Sequence, residues 1–169
     1  RPINHTIHIK QVITMTNPNE EILYDGIDTI TRYNYESLSD GVYIQDVIIQ
    51  FQLHRLEKKY KDLHDSNYFH CIMPYLTQFM QSYPFDTVQS SLDKEDLSQY
   101  KLTFFPLADF NTATLSATHF SLIYLDNRNG EMKLKHFDSH HQYNLNIAKQ
   151  LAAIIAKLYD LPSSDLEPI

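Results

Sequence analysis

The chain has 169 residues, a length that suits one domain and is sufficient to bury a hydrophobic core. Its formal net charge of −7 argues against unaided binding to nucleic acid or to an anionic membrane surface. The sequence contains no apolar run of the roughly 18 residues that a candidate membrane span needs.

The first hundred residues are predicted to contain one strand and two main helices. Residues 5–15 alternate well enough to form a strand, whereas residues 21–42 are polar and irregular. Residues 43–60 have the periodicity of a helix. Its expected buried face is formed by Ile49, Leu53, Leu56 and Tyr60. A shorter helix is expected at residues 74–81, and residues 93–100 favour another turn or two.

The remaining residues are predicted to form three strands and a helix. The strands are expected at residues 101–108, 119–125 and 132–138. Residues 126–130 join the last two and include an Asn-Gly pair, which is typical of a tight hairpin. Residues 146–162 form the clearest helical pattern. Strands that cluster in the middle of the chain favour an α+β fold.

His119 and Asp138 are the strongest candidates for chemistry. If the hairpin turns near residues 128 and 129, these two residues face each other across the strands, with Cβ atoms about 5 Å apart. A carboxylate in that place fixes the tautomer of an imidazole and stabilises its charged form, as in a nucleophile–His–Asp triad. Ordinary sheets also contain such pairs, so the spacing alone leaves a structural interpretation open.

Cys71 is the only thiol, so the chain cannot form an internal disulfide. Its apolar neighbours favour a packing role, although its place before a predicted helix also suits an activated thiol. His136, His140 and His141 do not complete a tetrahedral ligand set, and we expect neither a metal nor a cofactor. A single cysteine is compatible with a reducing, intracellular environment.

Five segments, in chain order between about residues 23 and 160, together resemble the ubiquitin-like-protein proteases. The segments are YIQDVIIQF, CIMPYLTQF, LTFFPLADFN, THFSLIYL and KHFDSHHQYNLNIAKQLA. This family of papain-like cysteine peptidases includes the sentrin-specific proteases and the deneddylase, and the last segment is most similar to the deneddylase. The resemblance implies a central mixed sheet flanked by helices, within one peptidase domain over residues 1–169.

The resemblance also implies a role for individual residues. His119 would be the general base that activates a thiol, and Asp138 would orient it. Asp46 would help to hold the C-terminal tail of the modifier. Tyr43 and Phe120 would line a narrow tunnel for the Gly-Gly end of that tail. The implied reaction is hydrolysis after the C-terminal Gly-Gly of ubiquitin or a ubiquitin-like protein, as in a deubiquitinase, deneddylase or desumoylase.

The sequence departs from the family pattern in two respects. Tyr43 and Phe120 stand where tryptophan is usual, and Gln45 replaces an asparagine. No Q-x5-C-G motif follows Asp138, although the family places its oxyanion glutamine and nucleophilic cysteine there. We therefore expect a peptidase domain truncated before the nucleophile, which a missing segment or a second chain would carry. The chain alone would then be inactive.

Two other functions stay open at this point. One is a catalytically incomplete module that binds a ubiquitin-like protein through the same cleft. The other is an acetyltransferase effector of the same fold, although such proteins usually have glutamate where this chain has Asp138. The modifier is not determined by the sequence. The expected location is intracellular, in the cytoplasm or nucleus, including delivery into a host cell as a microbial effector.

Overall fold

The helices and strands were located in a computed structural model, which describes residues 17–24, 26–39, 43–63, 67–92, 96–110 and 117–168. The helices are α1 (Arg32–Glu36), α2 (Asp46–Leu63), α3 (Pro74–Ser82), α4 (Phe85–Ser91) and α5 (Leu145–Leu158). The strands are β1 (Glu21–Tyr24), β2 (Thr29–Thr31), β3 (Phe69–Cys71), β4 (Leu102–Ala108), β5 (Phe120–Asp126), β6 (Lys133–Phe137) and β7 (Leu166–Pro168). A 3-10 helix at Leu97–Gln99 precedes β4. The strand predicted at residues 5–15 lies outside the described residues.

A five-stranded sheet organises the fold, in the order β3-β4-β5-β6-β7. The two outer pairs, β3 with β4 and β6 with β7, are parallel, whereas β5 is antiparallel to both of its neighbours. The sheet is therefore mixed, and the α+β class is confirmed. None of the helices in the described ranges is long and apolar enough to cross a membrane.

The main hydrophobic core lies on one face of this sheet. Alternate residues of the central strands, such as Phe105, Leu107 and Ile123, are fully buried there. They pack against α3, α4 and α5 through side chains that include Leu151 and Ile155, both wholly inaccessible. Burying one such side chain stabilises the fold by about 1.5–3 kcal/mol. The apolar stripe of α5 thus explains why this helix is the clearest one in the sequence.

A second, smaller core lies outside the sheet. β1 and β2 form an antiparallel pair, and Ile30 of β2 is buried against Ile48 and Phe51 of α2. Asp28 strengthens this contact by accepting hydrogen bonds from the side chains of Gln50, at 2.6 Å, and His54. This part of the chain therefore has its own packing contacts around α2.

Two predictions for this part of the chain are wrong. Residues 21–42 were expected to be irregular, but they contain β1, β2 and α1, which are too short to show a periodicity. The predicted face of α2 is displaced by about one residue: Ile48 and Phe51 are buried, whereas Leu56 is 43% exposed. Three adjacent β-branched residues, 47–49, made more than one face possible.

Candidate active site

The His119 and Asp138 side chains meet at the ends of two neighbouring strands. Nε2 of His119 lies 2.6 Å from Oδ1 of Asp138. His119 comes directly before β5, and Asp138 directly follows β6. The His119 side chain is 20% exposed and that of Asp138 only 2% exposed. The carboxylate is therefore shielded from water, while the imidazole can be reached.

The strand register that was predicted to bring them together is wrong by two residues. Leu122 pairs with Phe137, so the extended register does not set His119 directly opposite Asp138. The turn between β5 and β6 comprises residues 127–132, and only its glycine, Gly130, has a positive φ, at +75°. It is thus not a tight two-residue turn with both central residues in that conformation. The pair forms diagonally, across a distance that a long side chain can span.

Hydrogen bonds keep Asp138 ionised. Burial alone would raise the pKa of Asp138, but backbone N–H groups of Asn144 and His140 and the imidazole of His119 outweigh burial and lower this pKa to about 2. The N–H of Asn144 donates to Oδ2 at 2.8 Å, and that of His140 donates to Oδ1 at 2.9 Å. Asp138 is therefore a carboxylate at neutral pH.

The geometry of the pair assigns different tasks to the two ring nitrogens of His119. Nε2 faces a carboxylate, which only accepts hydrogen bonds, so Nε2 carries the proton in the neutral ring. Nδ1 then holds the lone pair, and it has no hydrogen-bond partner within the described residues. A group placed at Nδ1 could give its proton to this nitrogen, while Asp138 stabilises the resulting imidazolium.

Two adjacent cavities lie near this pair, and His119 lines one of them. The larger, about 330 Å³, is lined by Tyr43, Asp46 and Phe120 among other residues. Asp46 begins α2 and is exposed, with Oδ1 accepting the N–H of Val47 at 2.8 Å. The smaller cavity, about 310 Å³, is lined by Tyr43 and His119. Because Tyr43 borders both cavities, the cleft that contains the three predicted binding residues continues towards the imidazole.

Solved structures of two other proteins share this fold. A structure of SUMO protease Ulp1 with its catalytic cysteine oxidized to a sulfenic acid matches with a TM-score of 0.63 and 15% identity, over 89% of this chain and 67% of that chain. A structure of Xanthomonas campestris effector protein XopD bound to ubiquitin matches with a TM-score of 0.55 and 18% identity, over 79% of this chain and 70% of that chain. The chain has the fold of a ubiquitin-like-protein protease.

The likeness to the protease fold is structural rather than sequential. No family model matches the sequence, and no curated protein matches it either. A second structure of Ulp1, with the cysteine oxidized to a sulfinic acid, matches with a TM-score of 0.61 and 15% identity, over 86% of this chain and 64% of that chain. The chain therefore spans about two thirds of the length of the Ulp1 structures. The predicted papain-like fold of this type, with its mixed sheet and flanking helices, is confirmed.

Two residues that the sequence analysis missed hold the pair in this protease fold. Asp109, just after β4, accepts hydrogen bonds at Oδ1 from the N–H groups of Thr118, at 2.6 Å, and His119, at 2.7 Å. Burial raises the pKa of Asp109, but these bonds and one from the Thr118 hydroxyl outweigh burial and lower the pKa. Asn144 donates through its side-chain amide to the carbonyl oxygen of His119 at 3.4 Å. Neither role has a sequence signal beyond its place at a strand end or a helix start.

Cys71 lies apart from the pair. It is 2% exposed, on β3, and pairs with Phe104 of β4, so β4 separates it from the strand that follows His119. Burial raises the pKa of this thiol strongly, and the charge of Glu57 raises it further. The geometry thus places Cys71 in the packed sheet and not at Nδ1 of the imidazole.

The other histidines near the pair differ in their surroundings. His136 is 6% exposed, with Nε2 3.1 Å from Oγ of Ser121, and burial lowers its pKa. The His140 ring contacts the His119 ring, with centroids 5.8 Å apart, whereas His141 is exposed. Within the described ranges, no group of three or more His, Cys, Asp or Glu side chains is placed to hold a metal ion.

Proposed function

We propose that this chain carries the base half of a cysteine-protease site, which hydrolyses the bond after the C-terminal Gly-Gly of ubiquitin or a ubiquitin-like modifier. The observation that carries the proposal is the 2.6 Å contact between His119 and Asp138 at the end of a cleft. The fold shared with Ulp1 and XopD supports the same class of function.

The proposed reaction uses the two ring nitrogens of His119 as the geometry distinguishes them. Nδ1 takes the proton of a cysteine thiol, and the thiolate attacks the carbonyl carbon of the last glycine. The imidazolium, stabilised by Asp138, then gives its proton to the leaving amine. Water hydrolyses the acyl-enzyme, with His119 again acting as the base. Each bond that breaks thus has a defined proton donor or acceptor.

In the proposed site, the nucleophile comes from outside these 169 residues. Cys71 is the only thiol in the chain, and it is buried away from the imidazole with a raised pKa. A thiolate and a hydrogen-bond donor for the oxyanion would complete the site, and further polypeptide would supply both. The thiol also requires a reducing environment, so we place the reaction inside a cell, in the cytoplasm or nucleus, or in a host cell that the protein enters.

The cleft supports the choice of a glycine-ended tail. Tyr43 and Phe120 present flat aromatic walls to one cavity, and a glycine is the residue that needs the least width between them. Asp46 adds a negative charge at the same cavity, which favours a tail with basic residues. The modifier itself is left to experiment, because Ulp1 is a SUMO protease whereas XopD has been solved bound to ubiquitin.

The test uses the longest natural polypeptide that contains these residues. It is incubated separately with ubiquitin, SUMO and NEDD8, each carrying a C-terminal propargylamide, and adducts are identified by mass spectrometry. We expect an adduct on a cysteine other than Cys71. His119→Ala should slow its formation by about a hundredfold or more, the usual contribution of a positioned acid–base group. Lys149→Ala, at an exposed position on α5, is the control and should react at the wild-type rate.

Three outcomes would contradict the proposal. Retained binding of a modifier without any adduct would identify a binding module. An adduct on Cys71 would place the chemistry elsewhere in the sheet. Acetyl transfer from acetyl-CoA to an added protein, lost in His119→Ala, would identify an acetyltransferase instead.

A further inference from the structure

Asn144 occupies the N-cap of α5 without capping it. Asparagine is one of the residues that cap helices best, because its side-chain oxygen accepts a backbone N–H of the first turn. Here that bond is not made, and the side chain turns away from the helix. Its Nδ2 lies 3.4 Å from the carbonyl oxygen of His119 and 3.2 Å from Oγ of Ser121. The amide is thus directed at the strand that begins beside the catalytic pair.

Capping of α5 does not explain this residue. Asn144 is completely buried, and its Oδ1 has no hydrogen-bond partner in the part of the chain that the structure describes. The unpaired oxygen is unfavourable, and the two hydrogen bonds that Nδ2 donates offset that cost. What distinguishes Asn144 is that its side-chain amide donates both to the carbonyl oxygen of His119 and to Oγ of Ser121.

Asn144 contacts both members of the catalytic pair. Its backbone N–H donates to Oδ2 of Asp138 at 2.8 Å, while its side chain reaches the carbonyl group of His119. Neither His119 nor Asp138 lies within a strand, but the backbone N–H of Asp109 donates to the carbonyl oxygen of His119 at 3.2 Å. Asp109 holds the N–H of His119 from the other side at 2.7 Å. The His119 backbone is therefore held at its N–H by the Asp109 carboxylate, and at its carbonyl group by the Asp109 N–H and by the Asn144 amide.

We propose that Asn144 is a positioning residue, which holds His119 at the distance from Asp138 that keeps the proton on Nε2. This inference rests on the proposed role of His119 as the base. Without the amide of Asn144, the His119 carbonyl group would keep the bond from the Asp109 N–H but would lose the donor on the side of Asp138, and Nε2 would be less closely aligned with the carboxylate. The Nε2 proton would then be exposed to exchange with water, and the lone pair would no longer be confined to Nδ1.

The test measures the Nε2 proton of His119 by NMR in this chain, labelled with 15N. In the wild type we expect a downfield Nε2–H resonance that exchanges slowly with water. Asn144→Ser retains a residue that caps helices but removes the amide, and it should make this exchange at least about tenfold faster. Asn144→Asp also retains capping ability, but turns an acceptor towards the His119 carbonyl group, and it should have the same effect. The second variant keeps the test decisive if the first does not fold.

Leu158→Ala provides the matched control for loss of stability. Leu158 is completely buried at the other end of α5 from Asn144, so its truncation destabilises the same helix without touching the pair. Its Nε2–H exchange should stay within about twofold of the wild type. The proposal is overturned if Asn144→Ser or Asn144→Asp matches this control, or if the wild type shows no protected Nε2 proton. The NMR measurement involves no modifier and no thiol. Its outcome is therefore independent of the adduct experiment, and failure of one proposal can be distinguished from failure of the other.

Discussion

Replacing Asp138 with asparagine tests the charge that the site depends on. The pKa of Asp138 is lowered from 3.8 to about 2 in the folded chain. A difference of this size stabilises the folded state by about 2 kcal/mol at neutral pH. Since the folded pKa is the lower one, this contribution is complete above about pH 5, falls to about 1 kcal/mol at pH 3, and disappears below pH 2. Asp138→Asn removes it at every pH.

The measurement is urea-induced unfolding followed by far-ultraviolet circular dichroism, at pH 7 and at pH 3. We expect the difference in unfolding free energy between the wild type and Asp138→Asn to shrink by about 1 kcal/mol between these pH values. Asp86→Asn, at an exposed position on α4, is the control, and its difference from the wild type should be within about 0.5 kcal/mol at both. The reasoning would be refuted if the difference in unfolding free energy between the wild type and Asp138→Asn were equal at pH 3 and pH 7. A carboxylate whose pKa is the same in the folded and unfolded chain gives no such change with pH.

Two further predictions concern the core and the thiol. Leu151→Ala, at a wholly buried position on α5, should lower the unfolding free energy by about 2–5 kcal/mol, measured by the same denaturation, while Lys149→Ala on the exposed side should change it little. Cys71 should react with iodoacetamide at least about a hundredfold more slowly in the folded chain than in urea, because burial excludes the reagent and raises the thiol pKa. Equal rates in both conditions would show that the thiol is accessible.

The elements that could be predicted from sequence are those with long, regular patterns. β4, β5, β6 and α5 each have enough alternation or helical spacing to be located within one or two residues at their start. β3 and β7 have only three residues each, so no periodicity distinguishes them from a loop. Their places in the sheet depend on pairing with β4 and β6, which are distant in sequence or joined through α5.

The site was predicted less completely than the fold. The residues that meet, His119 and Asp138, were found from types and spacing, yet the register that was supposed to join them is different. The Asn-Gly pair lies in a wider turn, and turn length is set by contacts that a dipeptide does not specify. Asp109 and Asn144 act through backbone N–H and carbonyl groups, whose positions depend on the tertiary fold.

The larger cavity is lined by residues from both parts of the fold: the main sheet, and the smaller unit formed by β1, β2, α1 and α2. Tyr33 belongs to α1, beside the small β1–β2 sheet, whereas Pro106 and Phe120 belong to the main sheet. His119 directly precedes β5 of the main sheet, and the carboxylate of Asp109, just after β4, accepts its backbone N–H. We therefore expect a mutation in the smaller unit to change the shape of the larger cavity more than the position of the imidazole. If the proposed reaction is confirmed, selectivity for one tail over another can diverge among descendants of this sequence while the proposed proton transfer stays the same.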